Sequence, residues 1–123
     1  MSLEIGFAFI IEYEDPPHIW FVASDGSEHG DVLLLNFTTQ HESSDTTCIV
    51  DPGEYSGLSH TSVVSYRHSR IESVGHIETL LLRKQAMSRP RVPSKIIERA
   101  QQGALKSQYV SPNKRRLITG AAG

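Results

Sequence analysis

Residues 31–39 of this 123-residue chain have the sequence DVLLLNFTT, and this stretch decides what the chain can fold into. Four consecutive apolar residues followed by Asn, Phe and two threonines are typical of a β-strand. Because the apolar centre does not alternate with polar residues, we expect it to be buried on both faces of a sheet or at the heart of a barrel. The rest of the chain must then supply partners for this strand.

Other strand candidates lie on both sides of this stretch, and turn signals such as Asp25-Gly26 and Pro52-Gly53 separate them. They cover residues 6–11, 18–24, 46–50, 62–66 and 77–82. The segments between the early strands are too short for the crossover helices that parallel strands need. We therefore predict a mainly β fold, a small barrel of five to six bent antiparallel strands. The expected core includes Trp20, Phe21, Val32, Leu34, Ile49 and Val64.

The end of the chain has a helical pattern instead. Apolar residues recur at helical spacing between Ile96 and Ala104, which predicts a C-terminal helix beginning at Pro93 or Ser94. Gly103 weakens this helix. From residue 109 onward the chain is polar and basic and ends in Gly-Ala-Ala-Gly, so we expect partial disorder there.

Acidic and basic residues are also unevenly distributed, with a boundary near residue 82. Ten of the 12 Lys and Arg residues follow residue 82, whereas 13 of the 14 Asp and Glu residues precede residue 83. We predict a barrel domain over residues 1–85 and a basic C-terminal helix and tail over residues 86–123. The basic segment either docks on the acidic body or extends from it to bind nucleic acid.

Composition also bears on the compartment. The longest apolar runs are far shorter than the ~20 residues of a membrane span, and no signal-peptide pattern opens the chain. Cys48 is the only cysteine and has no partner for an internal disulfide, which fits a reducing compartment. We expect a cytoplasmic protein with no membrane partner.

Most familiar catalytic motifs are missing from the sequence. The six histidines include no pair at the spacing of a helical zinc motif and there is no cysteine pair, so we expect no metal and no cofactor. Cys48 stands in an apolar strand, where a free cysteine is usually a small buried hydrophobe. Phosphate-binding glycine loops and nucleophile elbows are also absent from the sequence.

Polar residues at strand ends are the remaining candidate site. His18 opens the second predicted strand, and Thr38 and Thr39 close the third. An imidazole that moves a proton and hydroxyls that steady phosphate oxygens suit RNA cleavage by its own 2′-hydroxyl. The alternative is that these threonines are ordinary β residues that satisfy turn backbone groups.

Five segments in this order resemble the PemK/MazF-like toxins of bacterial toxin–antitoxin systems, in a divergent branch. They are GFAFIIEY (6–13), HIWFVASDG (18–26), VLLLNFTTQ (32–40), TCIVDPGE (47–54) and TSVVSYRHSRI (61–71). The resemblance implies an SH3-like barrel, usually dimeric. It also implies a metal-independent endoribonuclease that cuts single-stranded RNA and is neutralised by an antitoxin protein.

The resemblance places the family's catalytic threonine on Thr38. The family's catalytic arginine precedes the second strand, where this sequence has Pro17 and His18. His18 is therefore the candidate to replace it as a cationic or acid–base group. The family's early Gly-(Asp/Glu)-(Val/Ile)-Trp opening is also changed, to Gly-Phe-Ala-Phe at residues 6–9.

Three functions stay open at this point. The chain is a toxin-type endoribonuclease, a catalytically silent binding module on the same barrel, or a structural homodimer whose basic helix packs on its partner's acidic barrel. For the first, the predicted catalytic residues are His18 and Thr38. The predicted RNA-binding residues are Thr39, Arg67, Arg89, Arg91, Lys114, Arg115 and Arg116.

Overall fold

A computed structural model describes residues 3–27, 30–40 and 44–120. Within these ranges the chain forms six strands and three helices. The strands are β1 (Ala8–Ile11), β2 (Trp20–Val22), β3 (Asp31–Thr39), β4 (Ile49–Val50), β5 (Ser62–Ser73) and β6 (Ala86–Arg89). The helices are α1 (Val74–Leu82), α2 (Ser94–Lys106) and α3 (Pro112–Thr119).

All six strands belong to one antiparallel sheet in the order β4-β5-β3-β2-β1-β6. The predicted mainly β fold with a C-terminal helix is confirmed. The predicted barrel is not, because β4 and β6 are opposite edges of the sheet and no pairing joins them in the described part of the chain. β6 pairs with β1, so the segment after residue 85 contributes a strand to the sheet as well as two helices.

β3 lies inside the sheet and is buried on both faces, as its apolar centre indicates. Leu33 and Leu35 pack in the core beneath α2, whereas Val32 and Leu34 pack on the opposite face against α1. The sheet therefore separates two apolar cores. Of the expected core residues, Ile49 is the exception: it is 39% exposed, and its neighbours Cys48 and Val50 are buried instead.

The strand predicted at 77–82 is wrong, since these residues form the end of α1. Ser73 caps this helix, because its hydroxyl oxygen accepts a hydrogen bond of 3.1 Å from the backbone N–H of His76. Ile77 and Leu80 are three residues apart and face the core together, which is helical spacing. A short apolar run without its flanking cap does not distinguish the two structures.

The helix predicted from Pro93 or Ser94 is confirmed as α2, with Pro93 at its N-cap position. The disorder expected from residue 109 is wrong for residues 112–119, which form α3, while residues 121–123 lie outside the described residues. α3 has a Ser111 cap, proline at its start and Gly120 in the left-handed conformation (φ 68°) at its end. No helix in the described ranges is long and apolar enough to span a membrane.

Candidate functional site

Along one face of β3 the side chains change from apolar in its first half to polar in its second half. Val32 and Leu34 pack in the α1 core, and the next two residues on that face are Asn36 and Thr38. These two line a pocket of about 260 Å³ at the polar end of that face. We call it the site pocket, and it is lined by Glu14, His18, Trp20, Asn36, Thr38, His68 and Arg70.

A large irregularity in β5 forms one wall of the site pocket. Asn36 pairs with Ser65 and Leu34 pairs with Arg70, so four residues of β5 lie opposite the single residue Leu35 of β3. The three extra residues make a bulge, and bulges redirect the side chains around them. The wall beside β3 is therefore set by the length of β5 as well as by its composition.

The bulge also changes which face of the sheet the β5 side chains occupy. Strict alternation would place His68 and Arg70 on the same face as Val64 and Tyr66, which are buried in the α2 core. However, His68, within the bulge, and Arg70, just after it, line the site pocket on the other face. The bulge thereby places an imidazole and a guanidinium in the same pocket as His18 and Thr38, the two predicted catalytic residues.

Arg70 is held in place by the side chains of Glu14, which lies between β1 and β2, and Trp20, which begins β2. Its guanidinium carbon lies 4.1 Å from the centre of the Trp20 ring, a cation–π contact. Its Nη2 lies 3.4 Å from Oε2 of Glu14, whose Oε1 accepts a 2.9 Å hydrogen bond from Trp20 Nε1. Glu14 therefore orients both partners and fixes the guanidinium at the pocket.

The site pocket combines two imidazoles, a hydroxyl and a guanidinium. His18, just before β2, and Thr38, near the end of β3, are both partly exposed and line it together, as sequence reasoning placed them. His68 Nδ1 lies 2.7 Å from Ser65 Oγ, a hydrogen bond that spans the start of the bulge. Imidazoles exchange protons near neutral pH, whereas hydroxyl and guanidinium groups donate hydrogen bonds to anions.

Thr38 stands where three hollows meet. A second hollow of about 200 Å³ shares Thr38 and His68 with the site pocket and extends to Arg67 and Tyr109. A third of about 240 Å³ shares His18 and Thr38 with it and is also lined by His60. We call the three together the groove, because each of them is lined by Thr38.

Two of the predicted RNA-binding residues border the groove. Thr39 is exposed at the end of β3 and lines the third hollow. Arg67 lines the second hollow, where its guanidinium carbon lies 4.9 Å from the ring centre of Tyr109. An arginine stacked on an exposed aromatic ring is a surface on which nucleic-acid bases stack.

The other predicted RNA-binding residues are not among the described residues that line the groove. Lys114 Nζ donates to the carbonyl oxygen of Ser69 at 2.7 Å, which ties α3 to the bulge. Arg116 donates to Asn113 within α3 at 2.9 Å. Arg115 is also on α3, while Arg89 ends β6 and Arg91 follows it.

Two arginines of the basic segment form ion pairs with the acidic body. Arg91 Nη1 lies 3.3 Å from a carboxylate oxygen of Glu4, and Arg99 Nη1 lies 2.7 Å from Glu54 Oε1. The hydrogen bond from Arg99 lowers the pKa of Glu54 from 4.5 to about 2. Of the two predicted roles for this segment, these contacts show docking.

Metal and thiol chemistry have no geometric support in the described ranges. Within them, no three His, Cys, Asp or Glu side chains are grouped to hold a metal ion. Cys48 is buried, and its burial raises the pKa of the thiol, which disfavours the nucleophilic thiolate.

Sequence reasoning missed Asn36, His68 and Arg70 as site residues. One signal for Arg70 was present, since Arg67 and Arg70 are the only basic residues before residue 83. A positively charged residue is unusual in so acidic a segment, and the structure explains Arg70 by its place in the wall of the site pocket. Asn36 had no such signal, because a polar residue in a buried strand is equally consistent with a structural role.

The chain matches no protein-family model and no curated protein. The likeness to the PemK/MazF-like toxins therefore stays an expectation. The chemistry of the site pocket and the groove is what indicates a function for this chain.

Proposed function

We propose that this protein binds single-stranded RNA in the groove and cleaves it through the RNA's own 2′-hydroxyl, as the toxins it resembles do. The observation that carries the proposal is the convergence of His18, Thr38, His68 and Arg70 on one pocket. Two groups for proton transfer and two donors for a phosphate are the set that this reaction requires.

In the proposed reaction one imidazole accepts the proton of the 2′-hydroxyl while its oxygen attacks the adjacent phosphorus. The bond from phosphorus to the 5′-oxygen breaks, and the second imidazole gives that oxygen a proton. The products are a 2′,3′-cyclic phosphate and a 5′-hydroxyl. Arg70 and Thr38 donate hydrogen bonds to the charged phosphorane, and the reaction needs no cofactor.

Arg70 takes the place of the arginine that the toxin resemblance implies before the second strand. It reaches the pocket from β5 and is fixed there by Trp20 and Glu14. A planar guanidinium matches two phosphate oxygens at once, which an imidazole does not. His18 is then released for acid–base work.

The resemblance supplies the wider setting of the proposal. We propose a cytoplasmic toxin that acts as a homodimer and is neutralised by an antitoxin protein. The groove is the surface that such an antitoxin would cover, because blocking it excludes RNA.

A catalytically silent binding module is the second candidate. The observation that favours it is the pairing of Arg70 with two carboxylates, Glu14 at 3.4 Å and Glu72 at 3.8 Å. Both reduce the positive charge that a phosphate would meet. In this case RNA binds in the groove and stays intact.

The test is incubation of the pure protein with mixed-sequence single-stranded RNA in EDTA, followed by end-group analysis. We expect cleavage with cyclic-phosphate ends. Thr38→Val keeps the branched shape and deletes the hydroxyl, so it should slow cleavage by ~10²–10³-fold. His18→Gln and His68→Gln should each slow it by at least ~10²-fold.

Matched controls are available on α1, which the groove does not include. His76 and Thr79 are exposed there, and His76→Gln and Thr79→Val repeat the same chemical changes. Both should cleave at the wild-type rate. Binding without any cleavage by folded wild-type protein would favour the silent module, and cleavage that survives the Thr38, His18 and His68 changes would place the active site elsewhere.

A further inference from the structure

Asn36 brings a buried hydrogen-bond acceptor to the site pocket. The residue is only 3% exposed, and its Oδ1 has no hydrogen-bond partner within the described ranges. A buried oxygen without a donor is unfavourable, because it has lost its hydrogen bonds to water and gained none in return. Such an atom in a pocket wall is satisfied when the occupant of the pocket supplies a donor.

The other polar groups of the site pocket indicate a different kind of contact. The carboxylate of Glu14 is directed at Trp20 and Arg70, whereas Arg70, Thr38 and the imidazoles can donate hydrogen bonds and together suit an anion such as a phosphate. A phosphodiester offers only acceptor oxygens and cannot satisfy Asn36. The occupant must therefore carry a donor close to its anionic group.

We propose that Asn36 Oδ1 accepts a hydrogen bond from the 2′-hydroxyl of a ribonucleotide whose 3′-phosphate lies at Arg70 and Thr38. This inference rests on the proposed function and deepens it. Within a nucleic-acid strand the 2′-hydroxyl is the donor adjacent to the 3′-phosphate, and DNA has none. Asn36 is then a positioning residue that selects RNA over DNA: it holds the 2′-hydroxyl in the bound state, and the hydroxyl turns its single proton to the imidazole when its oxygen attacks.

The volume of the pocket is consistent with one such unit. At about 260 Å³ it is smaller than the ~300–1,000 Å³ of typical small-molecule sites. A ribose and its phosphate fit this scale, while the bases extend into the neighbouring hollows. The next base along the strand reaches the surface of Arg67 and Tyr109.

The test measures binding without turnover. Ribonucleoside 3′-monophosphates are titrated against their 2′-fluoro counterparts, which keep a similar sugar pucker but have no donor at that position. We expect the wild-type protein to bind the ribonucleotide more tightly by about tenfold. Equal affinity for the two would overturn the inference.

Variants of Asn36 assign the preference to its oxygen. Asn36→Leu should abolish the preference, and Asn113→Leu, the same change on α3, should keep it. Asn36→Asp retains an acceptor and adds a negative charge, so both ligands should bind more weakly with the preference kept. If the leucine variant does not fold, Asn36→Ala removes the oxygen without adding bulk and should abolish the preference as well. A preference that persists in Asn36→Leu, or a change only in which base is preferred, would show that Asn36 does not contact the 2′-hydroxyl.

Failure of this inference is separable from failure of the nuclease proposal. Cleavage in EDTA by a protein that ignores the 2′-hydroxyl in binding would remove the role of Asn36 alone. A preference that depends on Asn36, without cleavage, would keep that role and support the silent binding module.

Discussion

At the scale of a single residue, a substitution of Arg70 tests the proposed role of its guanidinium in the site pocket. Arg70→Lys keeps the positive charge but loses the planar fork and the stacking on Trp20. We expect cleavage to slow by ~10²-fold, because a donor to the developing charge is displaced. The free energy of unfolding should change by less than about 1 kcal/mol, since the side chain is 40% exposed and such ion pairs contribute little.

Single-turnover cleavage rates and urea unfolding curves together check this expectation. The control is Lys95→Arg, the reverse substitution at an exposed position of α2, and it should change neither the cleavage rate nor the unfolding curve. A cleavage rate that is unchanged in Arg70→Lys would mean that Arg70 contributes only charge or is purely structural.

The site residues differ in how far the sequence determines them. His18 and Thr38 are at strand ends, and strand ends follow from the pattern of apolar runs and turns. His68 and Arg70 depend on the bulge in β5, and two-residue alternation assigns them to the wrong face of the sheet. A bulge is a long-range pairing outcome, so no local pattern in 62–73 reveals it.

At the scale of elements, α2 packs closely on β5 at Gly103. A Cβ atom added there would lie 2.1 Å from Tyr66 Oη, which donates a 2.9 Å hydrogen bond to the carbonyl oxygen of Ala100. Alanine improves helix propensity by ~1 kcal/mol, but overpacking costs ~1–3 kcal/mol and the buried hydrogen bond is displaced. We predict that Gly103→Ala lowers the free energy of unfolding by about 2 kcal/mol.

Chemical denaturation measures this difference directly. Gly75→Ala is a matched control in α1, because nothing lies within 4 Å of a Cβ atom there, and it should be neutral or stabilising. A Gly103→Ala protein as stable as wild type would mean that α2 and Tyr66 separate without cost.

The strands and helices also differ in how well the sequence predicts them, because some have a clear local pattern and others have boundaries that the pattern hides. β3 is so apolar, and α2 so regular in its spacing, that local pattern alone identifies both. α1 follows β5 without a loop, so its capping residue Ser73 is also the last residue of the strand and the boundary is hidden. α3 has Ser111 before it, proline as its first residue and Gly120 after it, but the basic residues of the segment obscure these helix signals.

At the scale of the whole molecule, two tyrosine hydroxyls join the C-terminal third to the rest. Tyr55 Oη donates to the carbonyl oxygen of Pro90, and Tyr66 Oη donates to that of Ala100. Burial raises the pKa of Tyr55 from 10 to about 12 and raises that of Tyr66 as well. Both phenols therefore keep their protons in the folded protein after the unfolded chain has lost them.

Stability should consequently fall in alkaline solution. The contribution of each phenol is fully present below pH 10 and is lost as the pH rises towards 12 for Tyr55 and beyond for Tyr66. In urea unfolding at stepwise pH, Tyr55→Phe and Tyr66→Phe should each flatten the decline above pH 10. Tyr13→Phe, at a 67% exposed position, should leave the curve as it is in wild type. Identical alkaline curves for all four proteins would rule out this coupling.

The bulge in β5 supplies one wall of the site pocket without contributing to the α1 core. Three surplus residues redirect the side chains that complete the pocket, while the α1 core takes none of its described residues from β5 and the α2 core takes only Val64 and, from the bulge, Tyr66. Insertions and deletions in one strand would thus let relatives of this chain gain or lose the proposed chemistry while they keep the fold. Among such relatives, the length of the segment between the paired positions Ser65 and Arg70 should divide active from inactive members more sharply than overall identity does.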